Sequence, residues 1–491
     1  MESLLPDDVL DLMRKIGDPR VDTAVSRMRP RARKQLVNEV RAEGFTWFLK
    51  DDRLKKNASA FDLRDLLEHP GTLPDPDLVK TACDLFARYG SEIAAALLLA
   101  ALPEAYAAGE GANVLARHSQ LITGGTLSTR RILATAQFVI WVLTPGTPHP
   151  PVSDRMKKYT YPSFDDTRLL WGRSKGSALR ASLALRMMHS LIRRSKPTRM
   201  EGPSLNRANR AMLNQEDLLA TLLSFSITVF EVLEKFGINW TAEEQEAYFY
   251  VWDRVGETLG IGDTHVILAL TGSRSLEDLK WKLRRIDEGD RPRRHVSAPP
   301  AGTHITSADM VKLFKGPINR RVLQHVADVG TLRPQSVPEA RALLARLRER
   351  MWTLQNDSFP QRKRFNYENF NEVLRDVSPG RILLKAMVDE VAAQLPASQK
   401  SWPVAVIRQL VPPQVQNRLA LGGTSSIGFF SGILATPPDP TGLVLLQRIS
   451  AEVLHQRATR VADSLFLYYY DKGLLTIPGL SPAAVGYGVH R

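Results

Sequence analysis

Apolar residues recur along this chain at three- and four-residue steps over long windows, and no run of useful length alternates apolar with polar positions. The first pattern marks amphipathic helices and the second would mark half-buried strands, so the chain predicts an all-α fold. Residues 1 to 78 read as short amphipathic helices joined by polar turns, with stops at His69-Pro70-Gly71 and Leu73-Pro74-Asp75-Pro76. Two helical patterns then run from Asp77 to Ala108. Their apolar run, Ile93 to Leu102, is stopped by Pro103, falls short of the ~20 residues that a bilayer span needs, and reads as a buried helix. A further pattern, Ala112 to Ile122, lies between breaks at Gly109-Glu110-Gly111 and Thr123-Gly124-Gly125.

Thr126 to Leu143 predicts a helix with Thr126 or Ser128 as N-cap and Pro145-Gly146 as stop. Arg131, Thr135, Phe138 and Val142 share one of its stripes. Residues 145 to 173, rich in proline and charge, read as a surface excursion. The stretch Leu179 to Lys196 predicts a helix whose core-facing stripe is Leu185, Met188, His189 and Ile192. Leu213 to Gly237 is another helix, with Leu218, Leu222, Phe225, Val229, Leu233 and Phe236 on its apolar face, Thr221 beside it and Gly237 as C-terminal cap. Thr241-Ala-Glu-Glu is a capping box that opens the next helix, which ends at Gly260 to Gly262. Thr271 to Pro334 turns polar and basic and reads as an insertion or mobile loop. Helical patterns return in VPEARALLARLRERMWTLQ and in SPGRILLKAMVDEVAAQLP, and the tail from Gly432 to Arg491 carries one strong helix through Leu467.

Charge and cysteine narrow the chemistry. The 491 residues hold 66 Lys+Arg against 52 Asp+Glu, a formal net charge of +14, which suits an anionic partner such as nucleic acid, lipid headgroups or haem propionates. No RNA-binding or zinc-finger signature favours nucleic acid. The one cysteine, Cys83, excludes a disulfide framework, a cysteine-rich metal site and a C-x-x-C-H attachment. The N-terminus, MESLLPDDVLDLMRKIG, has no signal-peptide pattern, so a cytoplasmic protein is expected.

His189 is the candidate for chemistry. Arg186 sits three residues before it and Arg193 four after it, on the same helix face. Neighbouring cations disfavour protonation of the imidazole, which keeps a lone pair free for a metal, and the arginines suit carboxylates such as haem propionates. The competing reading is a core histidine bonded to a carbonyl. For Arg131 and Thr135 the competing reading is an arginine reaching the surface beside a threonine bonded back to its own helix.

The order of RMMHSLIR, NQEDLLATLLSF and VWDRVGETLGIG after the Arg-x-x-x-Thr helix resembles the rubber oxygenases of the latex clearing protein type and the fungal membrane-bound oxygenases that cleave farnesyl chains. The resemblance covers roughly Asp77 to Gly423. It implies a globin-like helical core around a b-type haem, with dioxygen as co-substrate and oxidative cleavage of C=C bonds in an isoprenoid or similar apolar molecule. It implies His189 as the iron ligand, Arg186 and Arg193 as the arginines framing the haem, Arg131 and Thr135 as distal catalytic residues, and Thr221 as a residue shaping the haem surroundings. Ala134 stands where the family can carry an iron-capping lysine, and its methyl cannot reach a metal. The family's upstream glutamate has no placed counterpart here. The expected organisation is a helical extension over residues 1–78, a haem domain over 79–430 with insertions at about 146–172 and 271–335, and a helical extension over 431–491. A haem carrier or sensor without turnover, and a basic helical protein binding nucleic acid or a membrane surface, are the alternatives. The expected partner is an apolar alkene, with no nucleic acid and with peripheral membrane contact as a further option.

Overall fold

Asp75 opens the longest apolar stretch of the chain: its carboxylate accepts the N–H of Asp77 at 2.9 Å and of Leu78 at 3.3 Å, with Pro76 at the first turn, where no N–H is missed. In the computed structural model, which describes residues 5–31, 34–35, 74–108, 111–112, 127–144, 177–194, 211–289, 296–298, 303–353, 379–419, 421 and 450–472, every regular element among the described residues is helical. The all-α expectation holds.

The chain divides into two compact units: Met1–Pro74, Trp171–Leu223 and Phe249–Glu349 form one, and Asp75–Leu170, Ser224–Tyr248 and Arg350–Arg491 the other. The first unit holds α1 (Asp7–Met13), α2 (Pro19–Arg27) and α6 (Ser177–Arg194), the beginning of α7 (Gln215–Lys235) and the end of α8 (Ala242–Thr258). It continues with α9 (Thr264–Thr271), α10 (Leu276–Asp287), α11 (Ser307–Lys315), α12 (Pro317–Val329) and most of α13 (Val337–Thr353). The second holds α3 (Pro76–Ala96), α4 (Leu102–Ala107), α5 (Leu127–Leu143), α14 (Pro379–Ala393), α15 (Trp402–Leu410), α16 (Pro413–Arg418) and α17 (Ala451–Asp471).

Two expectations are corrected. Pro103 does not stop its helix: a π-helical turn, Leu97–Ala101, joins α3 to α4. Its wider i→i+5 bonding absorbs the ring clash and the missing N–H that proline brings to an α-helix interior. The joined stretch Pro76–Ala107, 32 residues, is long and apolar enough to cross a membrane by length and composition, and half of its most apolar window is buried inside the protein.

The segment 271–335, expected as an insertion or loop, is largely helical. Ser275 caps α10 by accepting the Asp278 N–H, Thr306 and Asp309 form a reciprocal capping box on α11, and Pro317 starts α12. Leu279 and Leu283, Met310 and Phe314, and Leu323 and Val326 are buried there, so ordinary amphipathic packing holds the segment beneath its charged surface. Lys312 reaches Asp8 at 3.0 Å and Lys15 reaches Asp309 at 2.9 Å, which ties α11 to the N-terminal helix region. The basic run Arg291 to His295 and the excursion at 146–172 lie outside the described residues.

In the second unit α17 packs along α3, burying Leu454, Ala458, Val461 and Leu465. His455 Nε2 lies 2.9 Å from Glu92 and its ring stacks on Phe236. Gly380 of α14 sits so close to α4 that a Cβ there would lie 2.0 Å from the Tyr106 carbonyl oxygen.

Gly380→Ala is expected to cost about 1–3 kcal/mol, read as a lower urea midpoint at unchanged slope. Burial, with Asp84 adding to it, pushes the Cys83 thiol up to about 12. Cys83 should therefore resist thiol reagents at pH 8 in the native protein and react on unfolding; modification of the native protein at the rate of the unfolded chain would contradict this placement.

Candidate functional site

On α6 the burial pattern inverts the expected one. The predicted core stripe, Leu185, Met188, His189 and Ile192, is only half-buried, while Ser182, Arg186 and Ser190 are deeply buried with Ala178, Ala181, Leu183 and Met187. A buried arginine needs carboxylates. Arg186 finds them far away in the sequence: Nε donates to Asp18 Oδ2 at 2.5 Å, Nη2 donates to Asp18 Oδ1 at 3.1 Å and to Asp263 Oδ2 at 3.3 Å, and Nη1 donates to the Thr258 carbonyl at 3.2 Å. Arg193 donates from Nε to both oxygens of Asp22, at 3.0 and 2.9 Å, and from Nη1 to the Leu213 carbonyl. The two guanidiniums expected to meet cofactor carboxylates thus hold α2 against α6.

Asp18 is the hub of this clamp. It caps α2 through the N–H groups of Arg20 and Val21 while meeting Arg186. Burial alone would raise its carboxyl, but the Arg186 charge and hydrogen bonds, then Arg193 and the Val21 N–H, hold it below the usual carboxylate range. The same carboxylates hold Arg186 charged against its burial.

The segment before Asp18 is threaded into the unit by its backbone. The carbonyls of Arg14, Lys15, Ile16 and Gly17 accept in turn from Ala211 N, His304 N, Gln215 N and Gln215 Nε2. Gln215, fully buried, also donates to the Gly260 carbonyl at 3.1 Å and accepts the Gly262 N–H at 2.8 Å. Asn214 accepts the Asp217 N–H at 3.0 Å, and Arg14 pairs with Glu216. The NQED motif is therefore a helix start whose side chains bind the N-terminal segment. The glycines of GETLGIG let side chains close in: a Cβ on Gly260 (φ +71) would come within 2.2 Å of Arg186 Nη2, and one on Gly256 within 2.4 Å of Leu222 Cδ2. Arg333, buried, meets Asp253 at 2.6 Å and the Ile261 carbonyl at 2.7 Å behind them.

Thr221 is exposed on α7 and its hydroxyl bonds back to the Asp217 carbonyl at 2.8 Å. Arg131 and Thr135 lie on α5 in the second unit, where Thr135 is half-buried and Phe138 and Val142 are buried as expected; the Arg131 and Ala134 side chains lie outside the described residues. The structure thus brings Arg186, His189 and Arg193 together on one helix of the first unit. Sequence reasoning missed their partners Asp18, Asp22 and Asp263, and it missed Glu104, a buried carboxylate of α4 that accepts from Thr228 Oγ1 at 3.3 Å. An acid inside the run LLLAALPEAYAA was the available signal for Glu104.

Whether a haem suits His189 can be judged on this geometry. Among the described residues no three His, Cys, Asp or Glu side chains gather as a metal cluster. The half-buried apolar residues Leu185, Met188 and Ile192, on the helix face that carries His189, would suit the face of a macrocycle. The residues fit the group.

The sequence matches the family model described as "ER-bound oxygenase mpaB/B'/Rubber oxygenase, catalytic domain" over residues 88–427. The chain belongs to this family, a family of oxygenase enzymes, as the resemblance over Asp77 to Gly423 implied. Among solved structures, that of a latex clearing protein in the closed state is similar, with 13% identity, 92% of this chain and 91% of that chain covered, and a TM-score of 0.48. No curated protein matches the sequence at a significant level.

Asp18→Asn is expected to destabilise the protein by about 3–5 kcal/mol, because it leaves a buried guanidinium short of a counter-charge. Asp18 is depressed from an ordinary 3.8 in the fold. Its contribution is therefore complete above that value and is lost as pH falls below it and through the depressed one. Urea midpoints measured from pH 6 downward should fall less steeply in Asp18→Asn than in the unaltered protein; identical acid limbs would contradict the assignment.

Proposed function

We propose that this chain is a haem b-dependent oxygenase that uses dioxygen to cleave C=C bonds in an isoprenoid or similar apolar substrate, with His189 as the iron ligand. The observation that carries the reading is His189 on a half-buried apolar face of a helix fixed on both sides by arginine–aspartate pairs, in a chain of an oxygenase family. When bound, a b-type haem supplies an iron with an open position for dioxygen, and the oxygen chemistry is the cofactor's. His189 would hold the group through one ring nitrogen, and Leu185, Met188 and Ile192 would keep water from it. Arg186 and Arg193 serve the site by holding α6: Arg186 donates to Asp18, Asp263 and the Thr258 carbonyl, and Arg193 donates from Nε to Asp22 and from Nη1 to the Leu213 carbonyl, while its buried Nη2 has no hydrogen-bond partner among the described residues. Arg131 and Thr135 are assigned the polar contacts to reacting oxygen, and Thr221 a place beside the cofactor, on the family resemblance.

The purified protein, reconstituted with haem, should show a Soret band with a stoichiometry of about one per chain that His189→Ala abolishes or shifts. Incubated in air with short polyisoprenes or farnesyl compounds, it should yield aldehyde and ketone fragments. Arg131→Ala should lower that turnover by about 10²–10³-fold with haem uptake unchanged. A haem protein that forms no cleavage product from any of these alkenes is a carrier or sensor and not the oxygenase proposed; a protein that takes up no haem removes both readings.

A further inference from the structure

We infer that Asp18 and Asp22 of α2 are positioning residues for His189, setting the rotation and the axial position of its helix and thereby the direction of the imidazole. This rests on His189 being the iron ligand. Arg186 and Arg193 lie about 4.5 Å before and about 6 Å after His189 along the helix, and both lie about 40–60° around the axis from it. The two aspartates are four residues apart on α2, so one short helix grips α6 one turn to either side of the imidazole and along a single line.

The grip is directional in a way that apolar packing is not. Asp18 meets both Nε and Nη2 of Arg186, and Asp22 shares the Nε–H of Arg193 between its two oxygens, so sliding α6 by a residue or turning it would break a buried bidentate pair and a part-buried bifurcated one. The Arg186 and Asp18 side chains are each 2% exposed, and a buried pair of this kind is seldom the most stabilising filling for its space. What it adds is a unique register. Gly17 and Gly260 are shaped to the same end, since a Cβ on either would meet Arg193 Cδ at 2.5 Å or Arg186 Nη2 at 2.2 Å. The N-terminal segment is itself fixed by four successive carbonyl bonds, which makes α2 a rigid reference for the histidine helix.

The test uses the full chain loaded with haem and compares Asp18→Asn, Asp22→Asn and His189→Ala with the unaltered protein. The readouts are the iron–histidine stretching band of the ferrous form in resonance Raman, the rate of haem transfer to excess apomyoglobin, and the urea midpoint. Asp18→Asn should still take up haem, but with a shifted or broadened stretching band and a transfer rate faster by about tenfold, and Asp22→Asn should move both readouts in the same direction by less. Should Asp18→Asn fail to fold, the partly exposed Asp22 pair decides the question alone. Variants with a lowered urea midpoint but an unmoved band and transfer rate would make the clamp a purely structural one and overturn the inference. Loss of positioning is distinguishable from loss of the haem reading, because only the latter gives His189→Ala the Soret and stretching bands of the unaltered protein.

Discussion

A guanidinium without a counter-charge cannot stay in a protein interior, and in the first unit the burial of Arg186 dictates what surrounds it. Its demand for two carboxylates brings Asp18 and Asp263 inward, its flat fork requires a glycine at position 260, and its remaining donor takes the Thr258 carbonyl at the end of α8. Gln215 then ties the same loop, through Gly260 and Gly262, to the N-terminal carbonyl of Gly17. One buried cation thereby fixes the relation among α2, α6, the start of α7 and the turn after α8. Part of the chain's excess of arginine serves the interior in this way, since Arg333 and Arg348 are buried as well.

The helices themselves were legible because a period of 3.6 needs only local sequence. The α5, α6, α7, α13 and α14 elements lie within a few residues of their expected bounds, a helix does run through Leu467 as α17, and the Thr241 and Glu244 capping box forms as read. The basic segment was misread because charge was weighed above periodicity. The Ser275 and Thr306 caps, and the apolar positions behind them, were present in the same letters.

The face of α6 was misread for a different reason. In sequence an arginine next to apolar residues marks the solvent side, and the side that is buried is decided by partners that no spacing links to it: Asp18 is 168 residues from Arg186. His189 was legible as a candidate, whereas the arginine–aspartate pairs that hold its helix to α2 were not. The family motifs mixed the two kinds of information. RMMHSLIR carries the candidate ligand, but NQEDL and GETLGIG, which strengthened the resemblance, turn out to carry the architecture beneath it.

The separation between Asp18 and its partners also orders events during synthesis. The aspartate leaves the ribosome well before Arg186 and longer still before Asp263, and at about 5–20 residues per second the wait amounts to roughly ten to fifty seconds. Until Arg186 is made the segment Arg14 to Asp18 has none of the distant donors that its carbonyls and carboxylate bind in the finished fold, and the last of them, the His304 N–H, comes after Asp263. Closing so long a loop draws on chain entropy before any contact rewards it. The segment around α2 is thus made early and locked late, and a nascent chain halted before residue 186 carries Asp18 and Asp22 without the arginines that they pair with in the finished fold.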